Sequence, residues 1–422
     1  MEISIFVDNF NICKDMTNNS YPNIKSIIIN VLRNCNLFTS LKECRVNFII
    51  QVFACFSSIK GKINFLQMSR FSDKCEQYFR INFENKFNFQ DFNLTMIKER
   101  VTECIIAFDP SHIDKSGKQT YGLGMYWSGS AGRTKRGLEI CGFAAVDIAL
   151  NTAFHLNAVQ TPKSKDLNLL HYYCQIIKEN YLYFKELTTY MVADSYLAKS
   201  VVVQTIAASG LHFISRLRDD AVLFYPNYEA RKKGQKGAPK KYAGRVNPKE
   251  PDMKFFTLCC NQPELKVYNT IVYCKAFKQK INLSIAVFYN KNGKEVARKL
   301  YFSTDLKMNG MKIVSYYRSR FQIEFLYRDA KQHCGLEDCQ ARSQNKLNFH
   351  FNAALTTVNL AKMHWLDNRK SESEPFSIAS FKTLCHNKLL LDRFIRVFAI
   401  NPNTTKNQNK INQLTKYGLI AA

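Results

Sequence analysis

Three acids stand out by position. Asp109 closes the apolar run of residues 102–109 (TECIIAFD), and Asp194 closes the run of residues 190–194 (YMVAD). Glu324 lies in a helical stretch further on. Two carboxylates at strand ends and a third on a helix offer hard oxygen ligands, which suit Mg²⁺ or Mn²⁺. Two such ions a few ångströms apart can clamp the attacking and leaving oxygens of a phosphodiester. Each acid also has a plainer reading. Asp109 precedes Pro110 and can open a turn, Asp194 with Ser195 can cap a following helix, and Glu324 can pair with Arg320 one turn earlier.

The surroundings of Glu324 shift that balance. Tyr317, Arg320, Glu324 and Lys331 fall on one narrow stripe of a helix turning by about 100° per residue, and Arg328 extends it. A stripe of phenol, cations and one carboxylate is unsuited to a core and richer than a solvated face requires. It is suited to holding phosphates beside a metal. Competing acids are weaker candidates. Asp114 lies in a polar stretch, Asp147 in an apolar run where a paired buried acid is expected, and Asp219 and Asp220 beside Arg216 and Arg218 in a charge-balanced turn.

These residues need elements to hold them. Residues 102–109, 121–128, 138–150, 190–194 and 211–217 read as strands, with helices over 167–187 and 198–209, the second closed by Gly210. That order describes an α/β sheet with some antiparallel pairing. The first hundred residues read as helical. Residues 220–305 read as a β-rich insertion, with a hairpin turn at Asn292-Gly293. One long helix is expected from about 312 to 333, and helices after it to about 400. The resulting division is a helical 1–100, a first core segment 101–219, the insertion 220–305, the last core helix 306–345 and a helical 346–422. The longest apolar run, residues 48–56, is about half of a membrane span. No secretory leader is recognisable, so a cytoplasmic protein is expected. The 14 cysteines include no C-x-x-C pair, against a zinc ribbon or finger.

Charge points to a polyanion. The chain of 422 residues has 60 Lys and Arg against 34 Asp and Glu, a formal net charge of +26. Such a surplus repels itself in the compact state and is offset by nucleic acid. Lys, Asn, Ile and Phe are also what an AT-rich genome encodes, but that bias does not remove acids. The turn-rich stretch 226–254 carries Arg231, Lys232, Lys233, Lys240 and Lys241. It reads either as a DNA-tracking loop or as a solvated one.

The segment YYRSRFQIEFLYRDAK resembles the Y-x2-R-x3-E-x6-K signature of bacterial insertion-sequence transposases of the DDE class. Tyr317, Arg320, Glu324 and Lys331 match its four positions. The FDPS segment at Asp109 and VADSYLAK at Asp194 resemble the two aspartate strands of that group, so the likeness covers about residues 100–345. It implies a ribonuclease H-like mixed sheet core with a β-rich insertion. Outside its reach, the helical first hundred residues, whose stretch 57–80 mixes Lys and Arg with aromatics, read as a DNA-end-binding unit or as an amphipathic pair with a solvated basic face, and the C-terminal helices of about 350–400 as the dimer contact. The likeness further implies that Asp109, Asp194 and Glu324 hold two Mg²⁺ ions, with Mn²⁺ as substitute, and that Tyr317, Arg320 and Lys331 grip phosphates of the element's end. The implied partners are double-stranded DNA, as terminal inverted repeats and target, and a second copy in a synaptic dimer. The implied setting is a bacterial nucleoid, with no membrane. A DNA-binding copy that no longer cuts, and a structure-selective nuclease of the same superfamily, are the competing readings.

Overall fold

The computed structural model describes residues 24–35, 41–163, 167–227, 238 and 240–420. They form two compact units. One comprises 88–328 with 342–344. The other comprises the chain up to 87, then 329–341, and 345 onward. Arg231, Lys232 and Lys233 lie outside the described residues, as does the N-terminal stretch before Ile24.

The larger unit opens with helix α5 (Phe89–Ile97) and is built on one sheet of twelve strands among the described residues. Its strands are β1 (Cys104–Asp114), β2 (Gly124–Ser128), β3 (Arg133–Asp147), β4 (Thr152–Gln160), β5 (Tyr190–Ala193) and β6 (His212–Arg216). They continue as β7 (Leu223–Pro226), β8 (Tyr242–Arg245), β9 (Thr257–Gln262), β10 (Leu265–Cys274), β11 (Gln279–Tyr289) and β12 (Glu295–Ser303). Strand β1 pairs antiparallel with β3 and parallel with β5, and β5 is parallel to β6. Strand β3 is long enough to pair with both β2 and β4. Helices α6 (Leu169–Lys185) and α7 (Ser200–Ala208) make the crossovers that parallel pairing requires. This is a ribonuclease H-like mixed α/β core. The insertion strands do not form a separate sheet. Strand β12 pairs antiparallel with β6, so the sheet runs on through β11, β10 and β7 to β8.

Two local expectations change. The first strand does not stop at Asp109 but runs through Pro110 to Asp114, paired with β3 throughout. Beyond Phe108 its other edge has no partner in β5, so a residue without an N–H is tolerated there. The single helix of 312–333 is two helices, α8 (Gly310–Ser319) and α9 (Gln322–His333). At the break the amides of Arg320, Phe321, Ile323 and Glu324 each donate to the carbonyl three residues back, a tighter winding than the α-helix.

The smaller unit is helical. It contains α1 (Ile24–Asn34), α2 (Glu43–Ser58), α3 (Phe65–Arg70), α4 (Glu76–Asn82), most of α10 (Gln344–Asn368), α11 (Ile378–Val397) and α12 (Thr405–Thr415). Phe48, Phe79, Phe83 and Phe349 pack as one aromatic cluster. Arg45 lies over two of these rings and donates to the carbonyls of Asn82 and Asn85, so its buried charge is hydrogen-bonded. Buried Lys382 likewise donates to the carbonyls of Phe56 and Ile59, each at 2.6 Å. Among the described residues no helix is long and apolar enough to cross a membrane, and no described cysteine is in a disulfide.

Candidate active site

The parallel ladder between β1 and β5 ends at Phe108 opposite Ala193. The residue after each is an acid, Asp109 still within β1 and Asp194 just past the end of β5. Adjacent strands lie about 4.8 Å apart, so this register brings the two carboxyl groups to neighbouring positions at the end of the pairing. Asp109 is held in the strand, 21% exposed at its side chain. Asp194 is exposed and accepts hydrogen bonds from the Ser195 amide and hydroxyl, capping a short 3-10 turn.

Glu324 arrives on α9. Arg320, at the break before that helix, joins the acids. It donates to Asp109 Oδ1 at 3.2 Å and to Glu324 Oε1 at 2.7 Å. Its side chain is 13% exposed. Burial opposes its charge, but Asp109, Glu324, Tyr317 and Asp194 together hold its pKa above the ordinary value. Burial pushes the Asp109 carboxyl up to about 7, Arg320 pulls the other way, and Glu324, Asp194 and Glu139 add to the rise. Tyr317 packs its ring 4.9 Å from that of Tyr301 on β12. Its phenol is raised by burial, feeling Arg320 and Asp194. The structure thus brings together Asp109, Asp194, Glu324, Arg320 and Tyr317.

Other residues singled out in the sequence make contacts of their own. Arg328 lies over the Phe325 ring at 4.6 Å. Lys331 belongs to the helical unit, where it pairs with Glu337 at 3.1 Å. Lys240 is exposed, and Lys241 lies over the rings of Tyr242 and Tyr273 at the β8 edge. That edge is six strand spacings from β5, on the order of 30 Å. The competing acids have structural partners. Asp114 pairs with Lys135, Asp147 accepts the amides of Thr102 and Leu150, and Asp219 and Asp220 pair with Arg216 and Arg218.

Three residues near the site escape sequence reasoning. Tyr327, three after Glu324, donates to the Asp109 carbonyl oxygen at 2.6 Å. Gly142 lies opposite Asp109 on β3, and a Cβ there would be 2.1 Å from the Tyr327 hydroxyl. Glu139, on the same strand, is buried and accepts hydrogen bonds from Thr161 and Tyr173, each at 2.8 Å. Tyr327 shares the helix face of Glu324, and that spacing was its one signal. Gly142 and Glu139 sit in a run that reads only as a buried strand.

The donor chemistry fits hard divalent cations. Asp109 and Glu324 contact one guanidinium and Asp194 adds to their field, a set of oxygen donors of the kind such cations take. Among the described residues no three His, Cys, Asp or Glu side chains converge closely enough to enclose an ion. The Arg320 guanidinium contacts both Asp109 and Glu324.

A comparison with the curated proteins finds no match. Residues 101–360 match the family described as the transposase DDE domain. That span begins before β1, ends in α10 and holds all three acids. Matched over more than half of its length, on a ribonuclease H-like sheet with acids on adjacent strands and a following helix, the chain belongs to the DDE-domain transposase family.

Proposed function

We propose that this transposase cuts the ends of a bacterial insertion sequence and joins them to target DNA. Asp109, Asp194 and Glu324 are the catalytic carboxylates in this reading. Two Mg²⁺ ions held by them would supply activation of the attacking oxygen and neutralise charge on the leaving 3′-oxygen. Mn²⁺ should substitute, being another hard octahedral cation.

The observation that carries the reading is the register of β1 on β5, which ends one residue before both aspartates, with Arg320 spanning Asp109 and Glu324. The chain's own residues orient the substrate. Arg320 offers a planar fork of donors that suits phosphate as well as carboxylate. Tyr317 adds a phenol hydroxyl on the same turn. Lys331 completes the four-residue signature, and its pairing with Glu337 must give way for it to reach a phosphate. Lys240, Lys241 and the neighbouring Arg231, Lys232 and Lys233 extend the positive surface for duplex DNA. Two copies act together because two ends must be cut. The helical N-terminal region binds the end, and the C-terminal region serves the dimer.

The test is cleavage of a fragment carrying this gene's own flanks, in Mg²⁺ or Mn²⁺, beside Glu324→Gln. Cuts at a reproducible boundary, lost in the variant while binding persists, are the expected result. Salt-sensitive binding without cuts would point to a copy that only binds DNA. Equal cutting of unrelated branched DNA would point to a structure-selective nuclease.

A further inference from the structure

The hairpin beyond the first strand has no part in the chemistry above. The chain leaves β1 at Asp114, loops over 115–123 and returns through β2 and β3. The ladder sets Met125 opposite Arg136 and Trp127 opposite Thr134. Side chains alternate along a strand, so these four share one face. Tyr126 and Ser128 point the other way and are buried, whereas Met125 is 63% exposed and Trp127 62%. The chain has only 2 tryptophans, and one is left in solvent on a strand that packs its other face.

Beside that face lies a cavity of about 730 Å³. Lys118, Arg136, Lys163 and Arg342 line it, and no acidic residue does among those described. Among the described residues none of the four is in an ion pair. The contrast with Lys135 is informative. It belongs to the same strand but turns to the other side, where Asp114 neutralises it at 2.8 Å.

The wall of the cavity is built. Tyr126 donates its hydroxyl to the Gly122 carbonyl at 2.8 Å, and the Gln160 amide donates to the Tyr121 carbonyl at 2.8 Å. The Tyr121 amide donates to the Arg342 carbonyl at 2.9 Å, and Arg136 donates to the Gly117 carbonyl at 2.7 Å. Gly122 has a φ of +72°, and a Cβ there would stand 2.5 Å from Gln160 Nε2 and 2.9 Å from the Thr161 carbonyl. The loop is therefore fixed at several points, and the backbone beneath the cations is set in advance.

Like charges gathered without counter-ions raise the energy of the fold unless an anion joins them. A single small anion carries too little charge to offset four cations, whereas a phosphodiester backbone presents a charge at every nucleotide, with Trp127 and Met125 beside it for sugars or an exposed base. We propose that this cavity and the exposed face of the β2–β3 hairpin form a second phosphate-backbone site for duplex DNA, distinct from the acids of β1 and β5. The choice of duplex DNA rests on the transposase reading. From Asp109 to Asp114 is five residues of strand, on the order of 17 Å. A duplex that engages both places would span roughly five base pairs or more at about 3.4 Å each.

The full-length protein is titrated with a labelled 30-base-pair duplex of arbitrary sequence, without divalent ions, at several salt concentrations. The wild type is compared with Lys118→Gln/Arg136→Gln/Lys163→Gln/Arg342→Gln and with Arg136→Gln alone, each matched to it by circular dichroism. Each lost phosphate contact lowers the log–log salt slope by about 0.9. A drop of about 2 to 4 in the quadruple variant and about 1 in the single one is expected. The second readout is Trp127 emission in a Trp365→Phe background, which should be quenched at saturation. Unchanged slopes with unquenched emission would overturn this site and leave the transposase reading standing. Wild-type protein that binds no duplex in a salt-dependent way would overturn both. Preference for single-stranded RNA of equal length would overturn the duplex assignment.

Discussion

Tyr327 donates its phenol to the backbone carbonyl of Asp109 at 2.6 Å, so the helix that carries Glu324 is fastened to the strand that carries the first aspartate. Gly142 makes the room. With any Cβ at 142 the hydroxyl would be 2.1 Å away and the ring carbon behind it 3.0 Å away. Tyr327→Phe removes one hydrogen bond and should cost about 1 kcal/mol, with a several-fold loss of cleavage. Gly142→Ala forces the ring aside and should cost about 1–3 kcal/mol and most of the activity. Combining the two removes the 2.1 Å clash and should recover part of the loss. Single-turnover cleavage and denaturant midpoints on the four proteins measure the coupling. Strict additivity would show that the two residues do not act on each other.

Arg320 is the cation shared by Asp109 and Glu324. Arg320→Ala should lower the cleavage rate by about 10²-fold, in line with the removal of a preorganised charged donor, and should weaken the hold on the DNA end. Arg320→Lys keeps the charge but loses the fork, so it should rescue little. Normal cutting by the lysine variant would reduce Arg320 to a simple charge balance.

The acids that close apolar runs, most of the core strands and the spacing of Tyr317, Arg320 and Glu324 were legible because each is local, whereas strand β4 (Thr152–Gln160) was not read. An apolar run that ends in an acid, and a repeated spacing, need no knowledge of what packs where. The rest depended on partners distant in sequence. Pro110 looked like a stop because the sequence does not show that β1 has lost its partner on one edge there. The break at Arg320 was hidden because nothing in RSRFQIE is a helix breaker. Gly142 read as one more residue of a buried strand until Tyr327 was seen against it.

The pH dependence follows from Asp109. Its folded pKa of about 7 lies above its ordinary value of 3.8, chiefly through burial. A group raised in this way contributes stability that is full below the unfolded value and is lost as pH rises through the folded one. Between about pH 4 and 7 the metal-free protein should therefore lose stability with rising pH, and Asp109→Asn should lose less. Cations prefer the carboxylate form, so their binding at pH 6 should release a proton. Titration calorimetry in two buffers of different ionisation enthalpy reads that release. Equal heats in both buffers would rule it out.

The insertion strands also reach the site, through α8. Asn282 on β11 donates to the Met308 carbonyl at 2.6 Å, and Ser284 donates to the Gly310 carbonyl at 3.1 Å. Asn269 on β10 donates to Asn282 at 2.6 Å and lies where a Cβ at Gly310 would be, 2.6 Å from its own Cβ. These contacts fix the first turn of α8, the helix that leads into Arg320. Asn282 is 1% exposed, so Asn282→Ala leaves buried carbonyls unpaired and should cost about 1–3 kcal/mol. If the insertion positions α8, cleavage should fall several-fold even where the variant is fully folded, while cation affinity changes little. Gly310→Ala, which pushes the same turn away from Asn269, should behave alike. A variant with a lowered denaturant midpoint but a wild-type cleavage rate would show that these strands stabilise the sheet without setting the position of Arg320.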